Sequence, residues 1–217
     1  MKATGLRHVL IEHIQQNELY VANDVTLDCG GILLYGTNAV GKTSLIRAIG
    51  IAAILAQTGF FVPCTQFVYK PYRSFFTRIL GVDNLYKGLS TFGVEMSELR
   101  MILKNADEYS MILGDELCSG TETQSALSIF VAGLMDLHEA QSSFIFATHF
   151  HEIVKYEEIK ALTKLQMYHM AVHYNKETNM LVYDRKLHAG SGESMYGLEV
   201  CKSLNLPQTF LERAHDI

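Results

Sequence analysis

Between Gly30 and Gly50 the chain reads GGILLYGTNAVGKTSLIRAIG: an apolar run, a glycine-punctuated loop and a helix-like segment in direct succession. The loop GTNAVGKT, Gly36 to Thr43, fits G-x-x-x-x-G-K-[ST], and a strand feeding it into a helix is the context that makes the string a phosphate-binding loop. A plain strand-to-helix turn with a stray lysine is the bland alternative, and that context disfavours it. Gly36 and Gly41 let the backbone curl close to phosphates, so that successive N–H groups and the helix N-terminus face negative charge. Lys42 is expected to neutralise the β and γ oxygens of ATP, and Thr43 to offer its hydroxyl to Mg²⁺. The expected ATP-binding set is Gly36, Thr37, Asn38, Ala39, Val40, Gly41, Lys42, Thr43 and Ser44.

Such a loop needs an acid at the end of a neighbouring strand. SMILGDE, Ser110 to Glu116, supplies one: Asp115 closes an apolar run and is expected to join the Mg²⁺ shell, while Glu116 at its exit would polarise a water. A third apolar run, SSFIFATH, ends at His149, expected on the same crevice and able to contact the γ-phosphate. HFHE, His149 to Glu152, invites a zinc reading. Its two histidines are only two residues apart and no matching cluster is evident, so zinc is not expected.

These three near-continuous apolar runs suit strands buried on both faces of a parallel sheet. Helix-like segments at Lys42 to Gln57, Ser90 to Ala106 and Thr121 to Ala140, the later ones behind possible Ser/Thr caps, alternate with them. That order predicts an α/β fold with a mostly parallel sheet flanked by helices. Leu165 to Tyr174 and Met180 to His188 alternate as a β-hairpin does, and two short helices follow at Tyr196 to Asn205 and Pro207 to Ile217.

At 217 residues, 48% hydrophobic and 19% charged, the chain can bury one ordinary core. Nothing in it reads as a signal peptide or membrane span, so an intracellular, soluble protein is expected, its compartment open. The net charge of −5 argues that most DNA phosphate contacts, if there are any, lie elsewhere. Cys29, Cys64, Cys118 and Cys201 show no C-x-x-C spacing and read as free, buried thiols.

The order of blocks RHVLIE, LYVAND, GTNAVGKTS, TGFFVPC, FFTRI, LSTFGVEMSEL, ILKNADEYSMILGDE, GTET, FATHFHEI, YGLEVCKSLNLP and LERAHDI covers almost the whole chain. It resembles the C-terminal ATPase domain of the MutS family of DNA mismatch repair proteins, a branch of the ABC-type ATPases. The resemblance implies a P-loop core over residues 1–193, a C-terminal helical dimerisation element over 194–217, and mismatch-binding, connector, lever and clamp domains absent from this chain. It keeps Lys42, Glu116 and His149 as catalytic residues, with Thr43 and Asp115 on Mg²⁺. Tyr20 matches an aromatic that stacks on adenine, with a core tyrosine as the plain alternative. Ser90 and Thr91 open the signature segment, whose serine reaches the γ-phosphate held by another subunit; Ser90 would also serve as an N-cap. Leu198, Leu204 and Leu206 would then be interface or core, burial within the chain being the expectation.

The pattern departs from the family at Asp83-Asn84, where two acids are usual, at Ser119, where an arginine is usual, and at Met195, where a serine is usual. The resemblance implies an ATPase whose ATP-driven closure of a homo- or heterodimer controls how distant domains hold mismatched DNA. The alternative is a nucleotide-dependent clamp of a relative acting in recombination without mismatch recognition. An SMC-like or transporter ATPase is disfavoured because STFGVEM stands where a Leu-Ser-Gly-Gly signature would be.

Overall fold

The computed structural model describes residues 1–217 other than 16–18, 80–90, 119–120, 176–179, 193–195, 205 and 217. In chain order its elements are β1 (Lys2–Leu6), α1 (Val9–Ile14), β2 (Asn23–Thr26), β3 (Ile32–Tyr35), α2 (Lys42–Gln57), β4 (Gln66–Val68), β5 (Ser74–Arg78) and α3 (Thr91–Asn105). Then come β6 (Ser110–Asp115), α4 (Thr123–Glu139), β7 (Ser143–Thr148), α5 (Glu157–Ala161), β8 (Gln166–Asn175), β9 (Met180–Ala189), α6 (Tyr196–Ser203) and α7 (Gln208–Asp216).

The described strands form two sheets. Six lie in the order β5-β6-β7-β3-β8-β9, with every neighbouring pair parallel except the β8-β9 hairpin. The alternation of side chains along the central strands divides the core into two layers. Ile32, Leu34, Met111, Leu113, Ile145 and Ala147 face one layer, where Leu45, Ile46 and Ile49 of α2 meet them. Leu33, Ile112, Phe144 and Phe146 face the other, against Leu99 of α3 and Phe130 of α4. Each strand is therefore covered on both sides, which is why the three runs are apolar throughout.

The second sheet, antiparallel in the order β2-β1-β4, joins the α2 side through Ala3, Leu6, Val25 and Leu27. Sequence reading assigned no strand to β1, β2, β4 or β5. The first three are short, with half-exposed or exposed positions that dilute their pattern. β5 is an edge strand, and its Arg78 is buried by an ion pair instead of by apolar character: Nη2 lies 2.7 Å from Glu95 Oε1 and Nε 3.0 Å from Glu98 Oε2, both on α3.

Other expectations shift in detail. Asp115 does not end the strand beside β3; β7 lies between β6 and β3. The N-cap of α4 is Glu122, with no side-chain cap bond, where Ser/Thr capping was expected. Pro207 stands one residue before α7, its carbonyl accepting from Phe210 and Leu211. Leu204 is 69% exposed, against the expectation of burial, and Leu198 and Leu206 are half-buried. Of the four free cysteines only Cys118 is buried, and burial pushes its thiol up to about 11.

Candidate active site

The loop between β3 and α2 is built by alternating backbone handedness. Gly36, Ala39 and Gly41 have φ of 147°, 69° and 110°, so the chain curls back on itself before α2 begins. Residues of mixed handedness in succession turn their N–H groups inward, the geometry that favours anions. A Cβ on Gly36 would stand 3.1 Å from Val40 Cγ2 and 3.2 Å from Met170 O, so the tight turn needs glycine. Val40, read as an ATP-binding residue, is fully buried and pins the loop to the core.

Lys42 is buried and its ammonium arcs back over the loop, donating to the carbonyls of Gly36 at 2.7 Å and Thr37 at 2.9 Å. Burial pulls its pKa below the usual lysine value, and the Glu116 and Asp115 carboxylates work against that. One residue on, Thr43 donates its hydroxyl to Asp115 Oδ2 at 2.5 Å. The helix start thus reaches past β7 to the end of β6.

Glu116 leaves β6 with φ of 50°, its N–H donating to Ala147 O on β7 at 3.1 Å. This left-handed step is uncommon for a residue with a side chain. Glu116 lines a cavity of about 150 Å³ together with Thr37, Asn38, Ala39, Gly41, Lys42, Thr43 and Ser44. The structure therefore brings together most of the expected loop set and Glu116. His149 is exposed just beyond β7, its ring 4.5 Å from that of Phe150, and is not among the residues lining this cavity. Thr91 begins α3, and Ser90, Asp83, Asn84, Ser119 and Met195 lie outside the described residues.

A second cavity of about 230 Å³ adjoins the first through Ala39, Gly41 and Ser44. Tyr20 is half-buried on its wall, beside Val21, Asn23, Met170 and Arg185. Burial raises the Tyr20 phenol above its usual value, and the nearby Arg185 guanidinium pulls the other way.

Residues 32–217 match the family described as MutS domain V. This chain belongs to the MutS family. A mitochondrial DNA mismatch repair protein mutS homolog of Sarcophyton glaucum is 42% identical over 92% of this chain and 20% of its own length. DNA mismatch repair protein MutS of Phocaeicola vulgatus is 37% identical over 97% of this chain and 25% of its own. A mutS homolog from Acanthamoeba polyphaga mimivirus is 37% identical over the whole chain and 23% of its own length. The chain thus spans about a quarter or less of the MutS relatives it matches. Among the described residues, no helix is long and apolar enough to cross a membrane.

Sequence reading missed six residues of this MutS chain that the fold brings to the second cavity: Ile11, Gln15, Val21, Asn23, Met170 and Arg185. Asn23 stood inside the LYVAND block, a lone amide opening a short strand. Arg185 is only 3 residues from the end of a run that reads as an ordinary hairpin arm, and nothing local marks it.

Proposed function

We propose that this chain is the P-loop ATPase engine, of ABC type, of a MutS protein, binding ATP and Mg²⁺ and hydrolysing ATP to ADP and phosphate. The observation that carries this is convergence: Thr43 meets Asp115 at 2.5 Å, and Lys42 and Glu116 line the same cavity. A hydroxyl beside a carboxylate is an oxygen donor set that suits Mg²⁺. Thr43 and Asp115 would hold the ion, which when bound neutralises charge on the phosphates. Backbone N–H groups of the loop bind the phosphates, Lys42 neutralises their oxygens, and Glu116 accepts a hydrogen bond from the attacking water. Tyr20 stacks on the adenine, and His149 contacts the γ-phosphate at the rim.

ATP held between this domain and a second MutS-type domain, homologous or identical, favours the closed pair, with Ser90 and Thr91 completing the partner's site. Hydrolysis removes that bias, and the change controls how domains elsewhere hold mismatched DNA. The test is the mass of the Glu116→Gln protein by light scattering with and without ATP and Mg²⁺, alongside ATP affinity of Lys42→Ala. Doubling of mass with ATP supports paired sites. Equal ATP affinity of Lys42→Ala and the unaltered chain, or normal turnover by Glu116→Gln, overturns the site assignment.

A further inference from the structure

The β8-β9 hairpin is interrupted beside the second cavity. Met170 pairs with Leu187 and Val172 with Tyr183, so one residue on β8 opposes three on β9. The surplus, Asp184 to Lys186, forms a bulge, and Arg185 within it has φ of 55°. Such a conformation is unfavourable for a residue with a Cβ and persists only where its surroundings hold it.

What holds it is Asn23, the first residue of β2 in the other sheet, 97% buried. Its Nδ2 donates to Arg185 O at 2.9 Å and to Val21 O at 3.2 Å, while its Oδ1 accepts from Leu187 N at 2.9 Å. The carboxamide therefore does what a neighbouring strand would do, supplying an acceptor to Leu187 N and a donor to Arg185 O where the β8-β9 register breaks. Lys186 adds a second tie across the same seam, its Nζ donating to Ala22 O. Within the bulge, Asp184 Oδ1 accepts from Lys186 N at 3.0 Å.

The two segments that Asn23 joins both line the cavity: Tyr20 and Val21 on one segment and Arg185 on the other, together with Ala39, Gly41 and Ser44 of the loop. We propose that Asn23 is a positioning residue for the base end of the nucleotide: it fixes the separation of the Tyr20–Val21 wall and the Arg185 bulge, and so sets the slot for a flat ring. This rests on the nucleotide-binding reading above. It predicts a defect confined to the base, since the phosphate loop is held by Val40 and by Lys42, whose bonds do not pass through Asn23.

The experiment measures Kd for ATP, ADP and inorganic tripolyphosphate, each with Mg²⁺, by calorimetry on the chain and its Asn23→Ala, Asn23→Asp and Tyr20→Ala variants, with melting curves alongside. Asn23→Asp keeps the acceptor for Leu187 N and loses both donations, so it serves if Asn23→Ala does not fold. Both Asn23 variants are expected to weaken ATP and ADP alike by about tenfold, and to leave tripolyphosphate within about twofold, as Tyr20→Ala does. ATP bound normally by folded Asn23 variants but weakly by Tyr20→Ala overturns the inference and leaves the nucleotide reading standing. An equal loss for all three ligands also overturns it, because Asn23 would then support the fold at large. ATP affinity unaltered by Tyr20→Ala and Asn23→Ala alike removes the base slot itself.

Discussion

Thr43 and Asp115 are 72 residues apart in sequence and 2.5 Å apart at their side-chain oxygens. The bond spans the first turn of α2 and the last residue of β6, with β7 lying between β6 and β3, the strand that leads into α2. It sets side by side the two oxygens that the proposed Mg²⁺ site requires. Thr43→Ala is expected to lower Mg²⁺-dependent ATP turnover about 10–100-fold, the scale of losing one ion-orienting group. A Mg²⁺ titration of turnover checks this, and a Thr43→Ala curve superimposed on the original would remove Thr43 from the site.

Gly114 precedes Asp115, and a Cβ there would stand 2.1 Å from ring atoms of the buried Phe146. Gly114→Ala must displace either the ring or the strand end, an overpacking that costs about 1–3 kcal/mol. Urea denaturation should show the loss, and adding Phe146→Leu should recover part of it. No recovery would mean that the strain is relieved elsewhere than at Phe146.

Arg78 and Glu95 form a buried pair, with side chains 8% and 0% exposed, tying α3 to the sheet edge. Arg78→Met leaves Glu95 buried without its cation and is expected to cost about 3–5 kcal/mol. Arg78→Met with Glu95→Leu should cost less than Arg78→Met alone, because the fully buried carboxylate goes with the cation and only the partly exposed Glu98 carboxylate loses its partner. A double variant at least as unstable as the single one in denaturant melts would contradict this account.

His151 stacks near Tyr35, ring centroids 5.0 Å apart, and its pKa is lowered by burial first and then by His149 and His169. The folded chain therefore resists a proton that the unfolded chain accepts near pH 6.5. The sign follows: stability at this residue is intact above about pH 6.5, falls as pH drops through that value, and levels off below the lowered folded pKa. His151→Gln should flatten the decline of the urea midpoint between about pH 7 and pH 5. An unchanged slope would assign the decline to other groups, with His8, also lowered by burial, the next to test.

The parts legible in the sequence are those where local pattern and tertiary demand coincide. β3, β6 and β7 are buried on both faces, so their middle residues are continuously apolar, and the loop glycines announce the bend at Gly36 and Gly41. What was not legible depends on distant partners. β1, β2 and β4 are stabilised by one another and by one buried face, and Arg78 looks polar until Glu95 is seen beside it. Asp115 was expected on a strand neighbouring the loop, and β7 intervenes, because strand order in a sheet is not written in strand spacing along the chain. The second cavity was legible at Tyr20 and at Ala39, Val40, Gly41 and Ser44 of the loop; Arg185 comes to it from a bulge whose register shift no periodicity reveals.

The second cavity takes Ile11, Gln15, Tyr20, Val21 and Asn23 from the part of the chain that precedes residue 32, where the match to domain V begins. Family boundary and physical unit therefore disagree. A polypeptide trimmed to residues 32–217 would keep every residue lining the first cavity and discard five of those lining its neighbour, along with two strands of the small sheet. The same cut strips Ala3, Leu6, Val25 and Leu27 from the core layer over α2, so the piece worth expressing is longer than the family match.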